Sequence, residues 1–104
     1  MTICDAVMLV RRAIGDPAGK CYFASEAVWH LVGAMRSDWR PCVMHTCTGA
    51  THWYLINTRT RAICDVTKDQ FASALDYSLG KRCGFLTSQP SKRAQVVLDL
   101  VTRS

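Results

Sequence analysis

The sequence predicts an α+β fold in which helices pack on a small antiparallel sheet, and three observations carry this. Apolar residues recur at helical spacing near both ends of the chain, short β-prone runs occupy its middle, and those runs lie too close together for parallel crossovers, which need a dozen or more residues. The expected order is two N-terminal helices, a three- or four-stranded antiparallel sheet and a C-terminal helix, all within one domain spanning residues 1–104. A chain of 104 residues that is 49% apolar can build one modest core and leaves no room for a second.

Taken in order, Ile3, Val7, Val10 and Ile14 share a helical face and Gly15-Asp16-Pro17 ends the pattern, so residues 2–14 read as an amphipathic helix. The turn-rich stretch from Gly15 to Lys20 leads into Cys21. From there Ala24, Ala27, Val28 and Leu31 share a second helical face, with Gly33 near its end, which predicts a helix from Cys21 to Val32. After Arg36-Ser37-Asp38 the texture becomes β-prone, in runs Cys42 to Thr46, His52 to Ile56 and Arg61 to Val66. These are divided by Thr48-Gly49-Ala50 and by Asn57-Thr58-Arg59-Thr60, as in meandering hairpins. Thr67 is placed to cap a helical turn running to Phe71, Leu75 to Cys83 reads as irregular surface, and Gly84 to Thr87 is a candidate fourth strand. Ala94, Val97, Leu98 and Val101, at i, i+3, i+4 and i+7, predict the terminal helix.

The net charge of +5 comes from basic residues scattered along the chain rather than gathered in one run. Scattered Lys and Arg serve solubility, and with no aromatic-basic recognition motif the pattern disfavours nucleic acid as a partner. Met1-Thr-Ile-Cys-Asp lacks the basic and apolar regions of an export signal, and no apolar stretch is long enough to span a bilayer. The expectation is a cytoplasmic protein, without a membrane partner, whose six cysteines stay reduced.

Among those cysteines Cys21 stands apart, because a helix N-terminus offers partial positive charge and unpaired N–H groups that stabilise a thiolate. A reactive thiol also needs a base and a group to orient that base. His52 opens one predicted strand and Asp65 closes the next, so a hairpin would bring imidazole and carboxylate to the same end of the sheet. The remaining cysteines Cys4, Cys42, Cys64 and Cys83 are expected to be buried and inert. Cys42, His45 and Cys47 suit zinc chemically, but Cys42 and His45 fall on opposite faces of a strand, so the segment supplies two clean ligands at most.

Thr51-His52-Trp53-Tyr54-Leu55, Ile63-Cys64-Asp65-Val66-Thr67 and Cys21-Tyr22 together resemble the His-aromatic strand, the Asp-x-Thr strand end and the Cys-aromatic helix start of transglutaminase-like proteins, with papain-like peptidases as wider relatives. The resemblance covers roughly residues 19–67 and implies acyl transfer through a thioester, with Cys21 as nucleophile, His52 as general base and acid, and Asp65 as orienting carboxylate. It implies a protein, peptide or small amide as substrate, and no metal or organic cofactor. Cys21 to Ala27, His52-Trp53 and the stretches Gly84 to Thr87 and Pro90 to Ala94 are also similar to small phage and actinobacterial proteins, a likeness that brings no substrate.

Where papain-like enzymes carry a Gln shortly before the cysteine, this chain has Pro17-Ala18-Gly19-Lys20. The oxyanion or substrate-binding donors expected here are the Cys21 backbone N–H with Lys20, Tyr22 or Trp53. The competing expectation is a non-enzymatic inhibitor or binding protein that keeps the fold without the chemistry.

Overall fold

The computed structural model describes residues 1–46, 48–71 and 74–103, and its architecture is the α+β arrangement the sequence predicts. Helix α1 spans Ile3–Ile14. The Thr2 hydroxyl accepts the Asp5 N–H at its start, and Gly15, at φ 67°, closes it by donating its N–H to the Arg11 carbonyl. A positive φ of this kind is what glycine supplies at helix ends.

Helix α2, Cys21–Leu31, is the central element, buried from Ala24 through Trp29. Its small residues Ala24 and Ala27 let α1 and the C-terminal helix α3, Lys92–Arg103, come close on one side and the sheet on the other. Helix α3 is capped in an unusual way. The fully buried Glu26 of α2 accepts the Ser91 N–H at 2.8 Å and the Ser91 hydroxyl at 2.7 Å, placing a carboxylate at the positive end of α3.

Strand β1, Trp39–His45, pairs along its length with β2, Thr51–Asn57, in a register that sets Met44 opposite His52 and Cys42 opposite Tyr54. A short β3, Ile63–Cys64, joins the other side of β2 at Ile56 and Leu55. The β2–β3 turn is held by the Asn57 side-chain oxygen, which accepts the N–H groups of Arg59 and Thr60 at 3.0 Å.

The fourth strand differs from expectation. Gly84 to Thr87 forms no strand; β4 is Lys81–Arg82, within the stretch read as irregular surface, and pairs with β1 at Val43 and Cys42. The completed antiparallel order is β3-β2-β1-β4. Phe85 instead packs its ring among Tyr22, Trp29 and Trp53, so this segment is held by aromatic contact rather than by a ladder.

Strand alternation gives the sheet two covered faces. Leu55 points into the core shared with α1, α2 and α3. Tyr54, Cys42 and Met44 point the other way, where Leu75 and Tyr77 cover them. No described helix is long and apolar enough to cross a membrane.

Candidate functional site

The site lies where the first turn of α2 meets an open stretch of β2. Because β3 pairs only with Leu55 and Ile56, the part of β2 from Thr51 to Trp53 has no strand partner on that side among the described residues, and α2 fills the gap. The Cys21 thiol sits 4.0 Å from the Thr51 carbonyl oxygen, and the Ser25 hydroxyl donates to the Trp53 carbonyl at 3.2 Å. Sheet-edge polar groups are thus met by the helix that carries the thiol.

His52 is fully buried, and its Nε2 lies 2.7 Å from Asp65 Oδ2, whose side chain is 2% exposed. The Phe71 ring stands edge-on to the imidazole with centroids 4.7 Å apart. With Nε2 committed to the carboxylate, Nδ1 is left buried and without a hydrogen-bond partner, and it is the nitrogen available to the thiol. Cys21, His52 and Asp65 are therefore brought together from α2, β2 and the end of β3.

The electrostatics follow from these neighbours. Burial opposes the Cys21 thiolate, but hydrogen bonding to His52 and to the backbone of Trp53 and Tyr22 outweighs it and draws the thiol below its ordinary pKa. Burial likewise opposes charging His52, yet Asp65 and Cys21 lift the imidazole to about 9. Mutual shifts of opposite sign favour a thiolate–imidazolium pair. The other buried thiols move the opposite way: burial pushes Cys42 up, and pushes Cys64 up to about 12.

Asp65 is held more firmly than the sequence reveals. The Thr67 N–H donates to Oδ1 at 3.2 Å and the Tyr77 hydroxyl donates to Oδ2 at 2.6 Å. The first is a turn in which Asp accepts the N–H two residues on, and Asp65-Val66-Thr67 carried that signal; Tyr77 lies twelve residues beyond with no spacing to announce it. The turn bearing Gln70 and Phe71 is tethered to α1, where Arg11 donates to the Val66 carbonyl at 3.2 Å and pairs with Asp69 at 2.8 Å.

The thiol opens on a cleft of about 460 Å³ lined by Cys21, Tyr22, Thr51, Trp53, Gln70 and Phe71 among others. Of the three expected binding residues, Tyr22 and Trp53 form its aromatic wall, with ring centroids 4.8 Å apart, and the Tyr22 hydroxyl accepts the Leu86 N–H at 2.8 Å. Lys20 faces elsewhere: its Nζ donates to the Ile14 carbonyl at 2.8 Å, and its side chain lines a groove between α1 and α3. As the N-cap of α2 it makes no side-chain cap bond, so the first N–H groups of the helix stay free of that competition.

Two expectations about thiols divide. Cys42 and Cys64 are buried, as expected, whereas Cys4 and Cys83 are exposed, the first on α1 and the second just after β4. For the zinc alternative, Cys47 lies outside the described residues, and no group of three or more metal-binding side chains gathers among the described ones. No protein-family model, curated protein or solved structure gives a significant match to the chain.

Proposed function

We propose that this chain is a thiol-dependent acyl-transfer enzyme, acting as a peptidase, amidase or transamidase, with Cys21 as nucleophile, His52 as general base and acid, and Asp65 as the group that orients His52. The observation that carries the reading is the geometry of His52: a buried imidazole with one nitrogen 2.7 Å from a buried carboxylate and the other free beside a thiol at a helix N-terminus. Structural histidines rarely need both a charged orienting partner and a neighbouring thiol drawn below its usual pKa.

In the proposed reaction the Cys21 proton passes to His52 Nδ1 and the sulfur attacks an amide, isopeptide or ester carbonyl. The carbonyl oxygen gains negative charge facing the N-terminus of α2, where backbone N–H groups and the helix dipole stabilise it. The imidazolium returns its proton to the leaving amine as the C–N bond breaks, leaving a thioester on Cys21. Water or an amine then gives a proton to His52 and attacks the thioester, which expels the thiolate. Tyr22 and Trp53 offer flat apolar surface for the acyl portion of a protein, peptide or small amide.

Incubation with p-nitrophenyl acetate tests this directly. The expected result is a burst of p-nitrophenol with acetylation of Cys21 seen by mass spectrometry, followed by steady turnover, and no burst for Cys21→Ser. Acetylation distributed over the exposed Cys4 and Cys83 with none at Cys21 would favour the binding-protein reading.

A further inference from the structure

The carboxylate oxygen that holds His52 is shared. Asp65 Oδ2 accepts from His52 Nε2 at 2.7 Å and from the Tyr77 hydroxyl at 2.6 Å, in surroundings where the Asp65 side chain is 2% exposed, so water does not compete for it. Tyr77 is itself held in place. Its carbonyl accepts from the Tyr54 hydroxyl at 3.1 Å, and the two rings meet at 66° with centroids 4.9 Å apart. Gly80 makes room for that anchor, since a Cβ there would stand 1.7 Å from the Tyr54 oxygen. Burial and the Asp65 charge push the Tyr77 pKa up, so its hydroxyl remains a donor throughout the working range.

We propose that Tyr77 is a positioning residue of the Cys21–His52–Asp65 site, donating a standing hydrogen bond to the oxygen His52 uses and thereby limiting how tightly the carboxylate retains the imidazolium proton. The inference rests on the reading in which these three residues act as one site. A carboxylate oxygen bound by a single cationic donor stabilises that cation most, and a second donor on the same oxygen draws off part of its charge. The titratable groups facing His52 are Cys21 from α2, Tyr54 from β2 and Asp65 after β3. With burial lowering His52, and Asp65 and Cys21 raising it, a donor on Asp65 is a contact that adds to the lowering side. An imidazolium held more tightly would be a poorer acid toward the leaving amine.

The test is an NMR titration of the His52 ring in wild type, Tyr77→Phe, Asp65→Asn and the double variant. The expected result is a His52 midpoint at least about 0.5 pH unit higher in Tyr77→Phe, a threefold change in the proton equilibrium, and no effect of the same substitution when it is added to Asp65→Asn. Tyr54→Phe, which releases the anchor on Tyr77, should shift the midpoint the same way by less, and decides the matter if Tyr77→Phe does not fold. An unchanged or lowered midpoint, or an equal shift in the Asp65→Asn background, would overturn the proposal. The midpoint is readable whether or not Cys21 reacts, so an inert Cys21 alongside the expected shift would sink the acyl-transfer reading and leave the Tyr77 linkage standing.

Discussion

His52 holds Asp65 on Nε2 and leaves Nδ1 buried and unpaired on the side of the thiol, and this determines how Cys21 should respond to pH. Because Cys21 lies below its usual pKa and His52 is raised to about 9, the thiolate–imidazolium pair occupies the interval between them. Alkylation of Cys21 should rise with pH through the depressed thiol value, level off, and rise again near 9 as the imidazolium discharges and leaves a more basic thiolate. Asp65→Asn removes the largest of the contributions that raise His52. The first step should then move toward the ordinary thiol value near 8.5 and the rate at pH 7 should fall about tenfold. A profile in Asp65→Asn that superimposes on the wild type would show that the carboxylate does not govern the pair. At this scale the sequence was most informative, since Cys21, His52 and Asp65 each carried a local reason to be considered together. Tyr77 and Gln70 did not, because what matters about them is where a surface turn folds back.

Helix α2 joins the site to the rest of the protein, presenting Cys21 at its first turn and Glu26 one turn later to a different partner. Glu26 makes two hydrogen bonds to Ser91 while fully buried, so Glu26→Ala leaves the Ser91 cap of α3, whose hydroxyl accepts the Ala94 N–H at 3.3 Å, without its support and empties a polar pocket. The expected loss is about 2–3 kcal/mol in urea unfolding, with Glu26→Gln retaining part of it because one acceptor remains. Cys21 reactivity in the folded fraction should stay as in wild type; its loss would mean Glu26 serves the thiol rather than the helix. Long periodic elements were legible in the sequence, α1 and α2 to within a residue at their ends and α3 by its apolar face. The short strands were less so: β3 falls inside the predicted Arg61 to Val66 run but spans two residues, and β4, also of two residues, was missed, because what defines such strands is pairing with β2 and β1 rather than any propensity of their own. The Gly84 to Thr87 run had the composition of a strand, but Phe85 gains more by entering the aromatic cluster with Tyr22, Trp29 and Trp53.

At the scale of the whole molecule, a small three-helix layer on one face of the sheet and the segment bearing Phe71 and Tyr77 on the other enclose His52 and Asp65, while the thiol remains reachable from the cleft. A second, apolar cavity of about 670 Å³ between α1 and β3 has Asp65 and Tyr77 among its lining residues. That enclosure is a property of the assembled chain and has no counterpart in any local stretch of sequence. It gives an activated Cys21–His52 pair a clear chemical signature among several thiols. The most direct measurement is limited labelling with iodoacetamide at about pH 6 to 7, mapped by mass spectrometry on wild type and His52→Ala. Cys21 should label far ahead of the exposed Cys4 and Cys83, and this lead should disappear without His52. Equal labelling of Cys21, Cys4 and Cys83 in the wild type, or a lead that survives in His52→Ala, would contradict an activated pair.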